Sequence, residues 1–422
     1  MGADLRGSSS RLRAVQAEVA HGKPTDRAVR LRRFVLLVGL FALSVKLIIA
    51  ATTYGTNDVS HWTEFADGVR RVGPIAIYGQ RFTIVFNHPP PIPFFLVGVN
   101  RLTDLGIPLH FLIRVPACLA DLGSVLLVFE ILRTRSSDLH AAMVAALVAL
   151  SPVLFVISGF HGNTDPVFVF LVVLSFYLLI DRSAPGAAGI AFGLSVGVKL
   201  VPIVALPAML ASIRRPRESR RFVAALAATL FLTWTPTLIR EFPAVRRNVF
   251  GYAGSHPLRT RWGPVLFLRS LGSPEALLNF VVGPGRFLIL VTCALLPAVL
   301  VRRHPEKAME GLALPVPLFL LLSPAFATQY LAWAVVFVYL LDPWTATAYS
   351  LSAGALLVWT YTRWSGGFPW YRANAVPLDN VGVALGVIAW LALLACLVQG
   401  WRIVRGDLRR TSTSDVERHA QR

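Results

Sequence analysis

The chain has 422 residues, 55% of them hydrophobic and only 15% charged, and its mean hydropathy is +0.61. A soluble chain would carry about 25% charged residues. Here the apolar residues stand in repeated blocks parted by Arg- and Pro-rich breaks, which excludes a soluble enzyme, a disordered protein and a disulfide scaffold. What remains is an all-α, polytopic membrane protein.

Lys and Arg number 41 against 22 Asp and Glu, a formal net charge of +19. In a soluble domain that excess suggests nucleic acid. In a membrane protein it reports loops held near anionic lipid, so membrane lipids are the expected partners and nucleic acid is not. Cys118, Cys293 and Cys396 all sit inside apolar blocks and form no CxxC, which supports neither a disulfide framework nor a zinc site.

In chain order, residues 1–33 are polar with eight basic groups and read as a cytoplasmic tail. The block from Phe34 reads as an uncleaved anchor. Spans are predicted at 34–52, 109–132, 139–159, 166–181, 222–240, 286–301, 311–327, 329–341, 344–362 and 381–401, against a usual need of roughly 17 to 25 residues. Residues 402–422 form a second polar tail. Both tails are expected to be disordered, with 34–401 a single transmembrane domain. With the N-terminus inside, cytoplasmic segments hold 25 basic residues and outer segments 13, so both termini are expected in the cytoplasm.

The block 187–213 departs from this pattern. Gly197, Pro202 and Pro207 interrupt it, Lys199 lies near its centre, and both flanks (Arg182 and RRPRESRR) fall on the cytoplasmic side. It must enter and return, as a re-entrant hairpin or two short spans. Broken helices at membrane depth persist only inside protein or around a wet cavity.

Two long outer segments, 51–108 and 241–285, are expected to form the active-site face. In the first, DVSHWTEFADGVRR reads as an amphipathic helix with Trp62, Phe65 and Val69 on one side. NHPPPIP and a second apolar stretch, PFFLVGVNRL, follow. Both helices are too short to span and are expected to lie along the interface. The second segment carries Arg246, Arg247, Arg259, Arg261 and Arg269 with Tyr252 and Trp262.

Asp58, with His61 and Trp62 three and four residues on, could serve as a general base beside an imidazole. The bland alternative is that Asn57 or Asp58 caps a helix. HGNTDP brings His161, Asn163 and Asp165 together at the same face, either as an alternative base or as an Asp-Pro helix start. Lys199 invites pairing with an anionic substrate group or with a buried carboxylate. Lys46 can snorkel to its span's outer end, while Arg114 and Asp121, seven apart on one helix, read as structural. The outer-loop arginines suit phosphate, in a substrate or in lipid headgroups.

These pieces, in this order, resemble the C-type (GT-C) glycosyltransferases, multi-pass enzymes that use polyprenyl-phosphate sugars. The resemblance rests on Asp58 followed by FNHPPPIP, on RVPACLADLG, HGNTDP and GLSVGVKLVPIVALP, and on FGYAGSHPLRTRWG and SPAFATQYLAW. The last two resemble bacterial polyprenyl-phosphate-mannose mannosyltransferases, and QYLAW also resembles the mannosyltransferase of GPI-anchor assembly. The resemblance implies an inverting transfer of a sugar, with mannose favoured, from polyprenyl phosphate to a cell-envelope lipid or glycan acceptor. It places the reaction outside a bacterial cytoplasmic membrane.

On that reading Asp58 is the catalytic base, His61 supports it and Asp165 is the alternative. Lys199, Arg259 and Arg261 hold the donor phosphate. Trp62, His88, His161, Asn163, Tyr252, Gln329 and Tyr330 line the substrate cavity. No metal and no cofactor is expected to be required. The family's acidic pair is reduced here to a single carboxylate, since Asn57 precedes Asp58. The competing readings are a transporter or lipid flippase, which also uses broken helices and a mid-membrane Lys, and a non-catalytic subunit of an envelope complex.

Overall fold

The computed structural model describes residues 26–252 and 261–406. The architecture is the helical bundle expected of a polytopic membrane protein. Helix α1 (Asp26–Thr52) is followed by a two-residue strand β1 (Gly55–Thr56), α2 (Asn57–Ala76) and α3 (Pro91–Asp104). Then come α4 (Val115–Arg133), α5 (Asp138–Ala149), α6 (Asp165–Ile180), α7 (Pro185–Val198), α8 (Leu206–Ser212) and α9 (Pro216–Val245). The chain closes with α10 (Gly285–Arg303), α11 (Pro315–Leu322), α12 (Leu331–Leu341), α13 (Pro343–Ser365), β2 (Arg372–Ala373) and α14 (Asn380–Arg405).

Among the described residues six helical stretches are long and apolar enough to cross a membrane: Asp26–Thr52, Leu109–Arg133, Asp138–His161, Pro216–Phe250, Gly285–Arg303 and Asn380–Arg405. Other apolar helices are shorter. All eleven residues of α12 are buried, so it forms the bundle's centre and needs no polar face. The outermost helices instead turn Leu37, Phe41, Leu232 and Ile239 outward, with Ile239 78% exposed, as a lipid-contacting surface requires.

The broken segment folds as expected. Helix α7 ends at Lys199, whose backbone is extended (φ −155°, ψ 150°). A 3₁₀ turn (Val201–Ala205) containing Pro202 follows, and then α8, with Pro207 in its first turn. Lys199 meets Asp165 at the start of α6, whereas Arg214, just beyond α8, donates to the Arg302 carbonyl at the end of α10 (3.2 Å). The chain therefore travels from one end of the bundle to the other and back. Helix α9 then runs alongside α7 so closely that a Cβ at Gly189 would sit 2.3 Å from the Phe222 carbonyl oxygen.

Helices α2 and α3 form where the amphipathic pattern placed them, burying Trp62, Phe65 and Val69 on one and Leu96, Val99 and Asn100 on the other. Asn100 Nδ2 donates to the Ala66 carbonyl (2.8 Å) and ties the pair together. Three local expectations are corrected. The basic stretch before Phe34 is helical from Asp26 onward. Lys46 does not snorkel: it is 1% exposed and pairs with Asp121 at 2.6 Å. The α2 cap is Thr56, whose hydroxyl accepts from the Asp58 amide (3.3 Å), so the Asp58 carboxylate is left for other work.

Candidate active site

Asp58, the first-turn carboxylate of α2, emerges at one end of the bundle. Its placement is fixed by β1, which pairs in parallel with β2, and by Asn57, whose Oδ1 accepts from the Ala375 amide (3.3 Å). The last inter-helix loop thus straps the start of α2. Asp58 keeps 28% of its side chain exposed. Its Oδ2 accepts from His161 Nε2 (3.1 Å) and from Gln329 Nε2 (3.4 Å). Among the described residues no hydrogen bond is made to Oδ1.

An ionised carboxylate only accepts, so His161 donates its Nε2 proton to Asp58. The Tyr361 hydroxyl is hydrogen-bonded to Nδ1 and meets Thr328 Oγ1 at 3.2 Å. Thr328, Tyr361 and His161 form a hydrogen-bonded chain ending on Asp58. Burial works to raise the Asp58 carboxyl, but the His161 hydrogen bond and the charges of His161, His61 and Lys199 outweigh it and hold the carboxyl below its ordinary value.

The second carboxylate is placed differently. Asp165 is fully buried. Its Oδ1 holds Lys199 Nζ (2.5 Å) and its Oδ2 accepts from Trp333 Nε1 (2.6 Å). Lys199 also lies over the rings of Tyr330 (4.8 Å) and Trp333 (4.9 Å), and 26% of its side chain is exposed. Of the two partners that its sequence suggested, the buried carboxylate is the one present.

The remaining expected residues divide. Trp62 is 3% exposed, donates to the Gly162 carbonyl (3.0 Å) and packs on His88 at 4.4 Å, so it braces the wall. Burial first, then the charge of Lys199, pushes His88 down to about 3 against the pull of Asp58, which leaves a neutral ring beside both. Asn163 Oδ1 accepts from the Asp165 amide (3.0 Å) and shapes the turn. Tyr330 stacks on Trp333 at 4.0 Å, and Tyr252 is partly exposed.

His61 makes no hydrogen bond to Asp58 among the described residues; the imidazole that does is His161, 103 positions away. Arg261 is engaged by the Leu378 carbonyl (2.7 Å) and is not joined to Lys199. Arg259 lies outside the described residues. Among those residues no three His, Cys, Asp or Glu side chains converge on a point that could hold a metal ion. The sequence did not single out Tyr361, which no motif marked, and Thr328 stood only as an unremarked member of SPAFATQYLAW.

The sequence profile of glycosyltransferase family 87 matches residues 90–324. The chain belongs to that family of GT-C-type glycosyltransferases. It is a multi-pass membrane glycosyltransferase, which sets aside the transporter and assembly-subunit readings. It is similar to GPI mannosyltransferase 1 of Gibberella zeae, at 23% identity over 437 aligned positions that cover 92% of this chain and 99% of that protein. Among solved structures it is similar to ArnT from Cupriavidus metallidurans bound to undecaprenyl phosphate, at 15% identity, covering 88% of this chain and 78% of that one, with a TM-score of 0.42.

Proposed function

We propose that this glycosyltransferase moves mannose from a polyprenyl-phosphate donor to a hydroxyl of a cell-envelope lipid or glycan, with inversion, on the extracytoplasmic face of a bacterial cytoplasmic membrane. The observation that carries the reading is Asp58. Its carboxylate is ionised and backed by donors on Oδ2, and among the described residues nothing bonds its Oδ1, while the cation of Lys199 acts on it through space. Oδ1 takes the acceptor's proton as that oxygen attacks the anomeric carbon. The bond from that carbon to the phosphate oxygen breaks, and polyprenyl phosphate leaves with the electron pair.

Negative charge grows on the departing phosphate, where a fixed cation is worth most. Lys199 keeps N–H groups beyond the one given to Asp165 and is the phosphate ligand in this scheme; the reaction as written needs no metal. Mannose is supported by the similarity to a mannosyltransferase, and the orientation by the 25-to-13 bias in basic residues.

The test is purified protein supplied with radiolabelled polyprenyl-phosphate mannose, arabinofuranose or glucose, a membrane-lipid acceptor extract, and EDTA in half of the samples. Labelled lipid from the mannose donor, unchanged by EDTA, is expected. Transfer from a nucleotide sugar with none from any polyprenyl donor would overturn the donor assignment. For orientation, Cys introduced at Arg81 or Phe368 should react with an impermeant reagent outside intact cells, and Cys at Arg217 should not. The three native cysteines are buried and give a quiet background. The opposite pattern inverts the topology.

A further inference from the structure

Arg114 is fully buried, and among the described residues no carboxylate pairs with it. A permanently charged guanidinium in that position has to be satisfied by dipoles. Its Nε donates to the His110 carbonyl (2.7 Å), and its Nη2 to the carbonyls of Thr53 (2.6 Å) and Tyr54 (3.1 Å). Its Nη1 reaches Thr53 Oγ1 (2.9 Å) and the carbonyls of Gly159 (3.0 Å) and Phe160 (3.3 Å). One side chain therefore clasps two stretches: residues 53–54, which lead into Asp58, and residues 159–160, which lead into His161.

The second stretch explains why a clasp is required. Residues Ile157–His161 form a π-helical turn that Gly162, in the left-handed region at φ +89°, terminates. A helix that stops leaves its last carbonyls without amide partners. Here each is caught by a side chain: Ser158 by Cys118 Sγ (3.4 Å), Gly159 and Phe160 by Arg114, His161 by Thr56 Oγ1 (2.8 Å) and Gly162 by Trp62 Nε1 (3.0 Å). Thr56, the cap of α2, and Trp62, on α2, flank Asp58. The two segments approach so closely that a Cβ at Gly55, itself at φ +101°, would lie 2.6 Å from the Phe160 carbonyl oxygen.

We infer that Arg114 is a positioning residue for the transfer: it locks the π-turn against the start of α2 and so sets the hydrogen bond from His161 to Asp58. This rests on Asp58 being the base. Misplacement of a catalytic group by about 1 Å can cost around 100-fold in rate. A slackened Asp58–His161 contact also removes a downward influence on the Asp58 carboxyl.

The test compares Arg114→Met, Arg114→Lys, Thr56→Val and Asp58→Asn, each checked for monodispersity and melting, in kcat, donor KM and pH–rate profile. Arg114→Met is expected to lower kcat about 100-fold with donor KM within about threefold, and to move the acid limb of the profile upward. Arg114→Lys should rescue only in part, because a point charge cannot span both segments. Thr56→Val should shift the limb the same way by less. A folded Arg114→Met with wild-type kcat and acid limb overturns the inference. If that variant does not fold, unchanged acid limbs in both Arg114→Lys and Thr56→Val overturn it instead. Asp58→Asn separates the two claims: wild-type turnover there removes Asp58 as base, whereas its loss alongside unmoved Arg114 variants removes only the role of Arg114.

Discussion

Asp58 and Asp165 stand at the same end of the bundle, each at a helix start, and from spacing alone either could be the base. Their surroundings separate them. Asp165 has no exposure and has both oxygens engaged, by Lys199 and Trp333. Asp58 is 28% exposed with its donors gathered on Oδ2. A carboxylate whose lone pairs are consumed by a cation and an indole cannot collect a proton without breaking its own structure. The chemistry of an Asp here is decided by which of its oxygens the described residues leave without a partner rather than by the motif that carries it.

The largest effect that could break this contrast is Asp58→Asn. It keeps the shape and removes the proton acceptor, so turnover should fall by about 100- to 10,000-fold while donor affinity is nearly intact, measured by single-turnover transfer and direct donor binding. Asp165→Asn should behave in the opposite sense: donor affinity and melting temperature fall, because Lys199 loses its counter-charge, while saturated turnover stays within about tenfold. A reversal of these two patterns would move the base to HGNTDP.

Next in size is Lys199→Met. Loss of a charge-assisted hydrogen bond to phosphate is worth about 1.5–3 kcal/mol, which is roughly a 10- to 100-fold weaker donor Kd. Lys199→Arg should recover only part of this, because a bulkier planar fork replaces the compact ammonium that lies over the Tyr330 and Trp333 rings and against Asp165. Unchanged donor affinity in Lys199→Met would leave the Lys199–Asp165 pair a purely structural element.

What the sequence made legible, and what it did not, follows from range. The apolar blocks, the broken segment and the amphipathic α2 and α3 are local patterns, read correctly because helix periodicity and span length act within about 20 residues. Asp58 and Lys199 were legible as charged groups out of place. The partners were not. His61 looked like the supporting imidazole because it is three residues away, yet the hydrogen bond comes from His161. Asp121 was set beside Arg114 by its helical position, yet it pairs with Lys46, 75 residues distant. Periodicity tells which face a side chain takes but not which helix lies opposite. Tyr361 had no signal at all, being one aromatic among many in an apolar span.

A smaller effect sharpens the view of Asp58 through its proton. Because its carboxyl is held below the ordinary value, it is ionised across the physiological range, and activity should be lost only as pH falls through that lowered value. His161→Phe removes the hydrogen bond and the charge that hold it down. Burial, the largest influence and an upward one, is then less opposed. The acid limb of kcat/KM should therefore move up, with the neutral-pH plateau reduced by about tenfold or less. A limb that stays in place would mean that the limiting ionisation belongs to another group.

The smallest expected effect is His61→Ala, and it discriminates between closeness in sequence and contact in space. His61 acts on Asp58 only through space; it is half-exposed, and among the described residues it makes no hydrogen bond to the carboxylate. Through-space influences between partly solvated groups are weakened by water and salt, so turnover should change by no more than about threefold, and raising the ionic strength should erase even that. His161→Phe should be insensitive to salt by comparison, since a buried hydrogen bond is not screened. If instead His61→Ala cost as much as His161→Phe, and did so at high salt, the first turns of α2 would have to rotate in the working enzyme to bring His61 onto Oδ1. The helix spacing would then have identified the partner that this resting arrangement keeps apart.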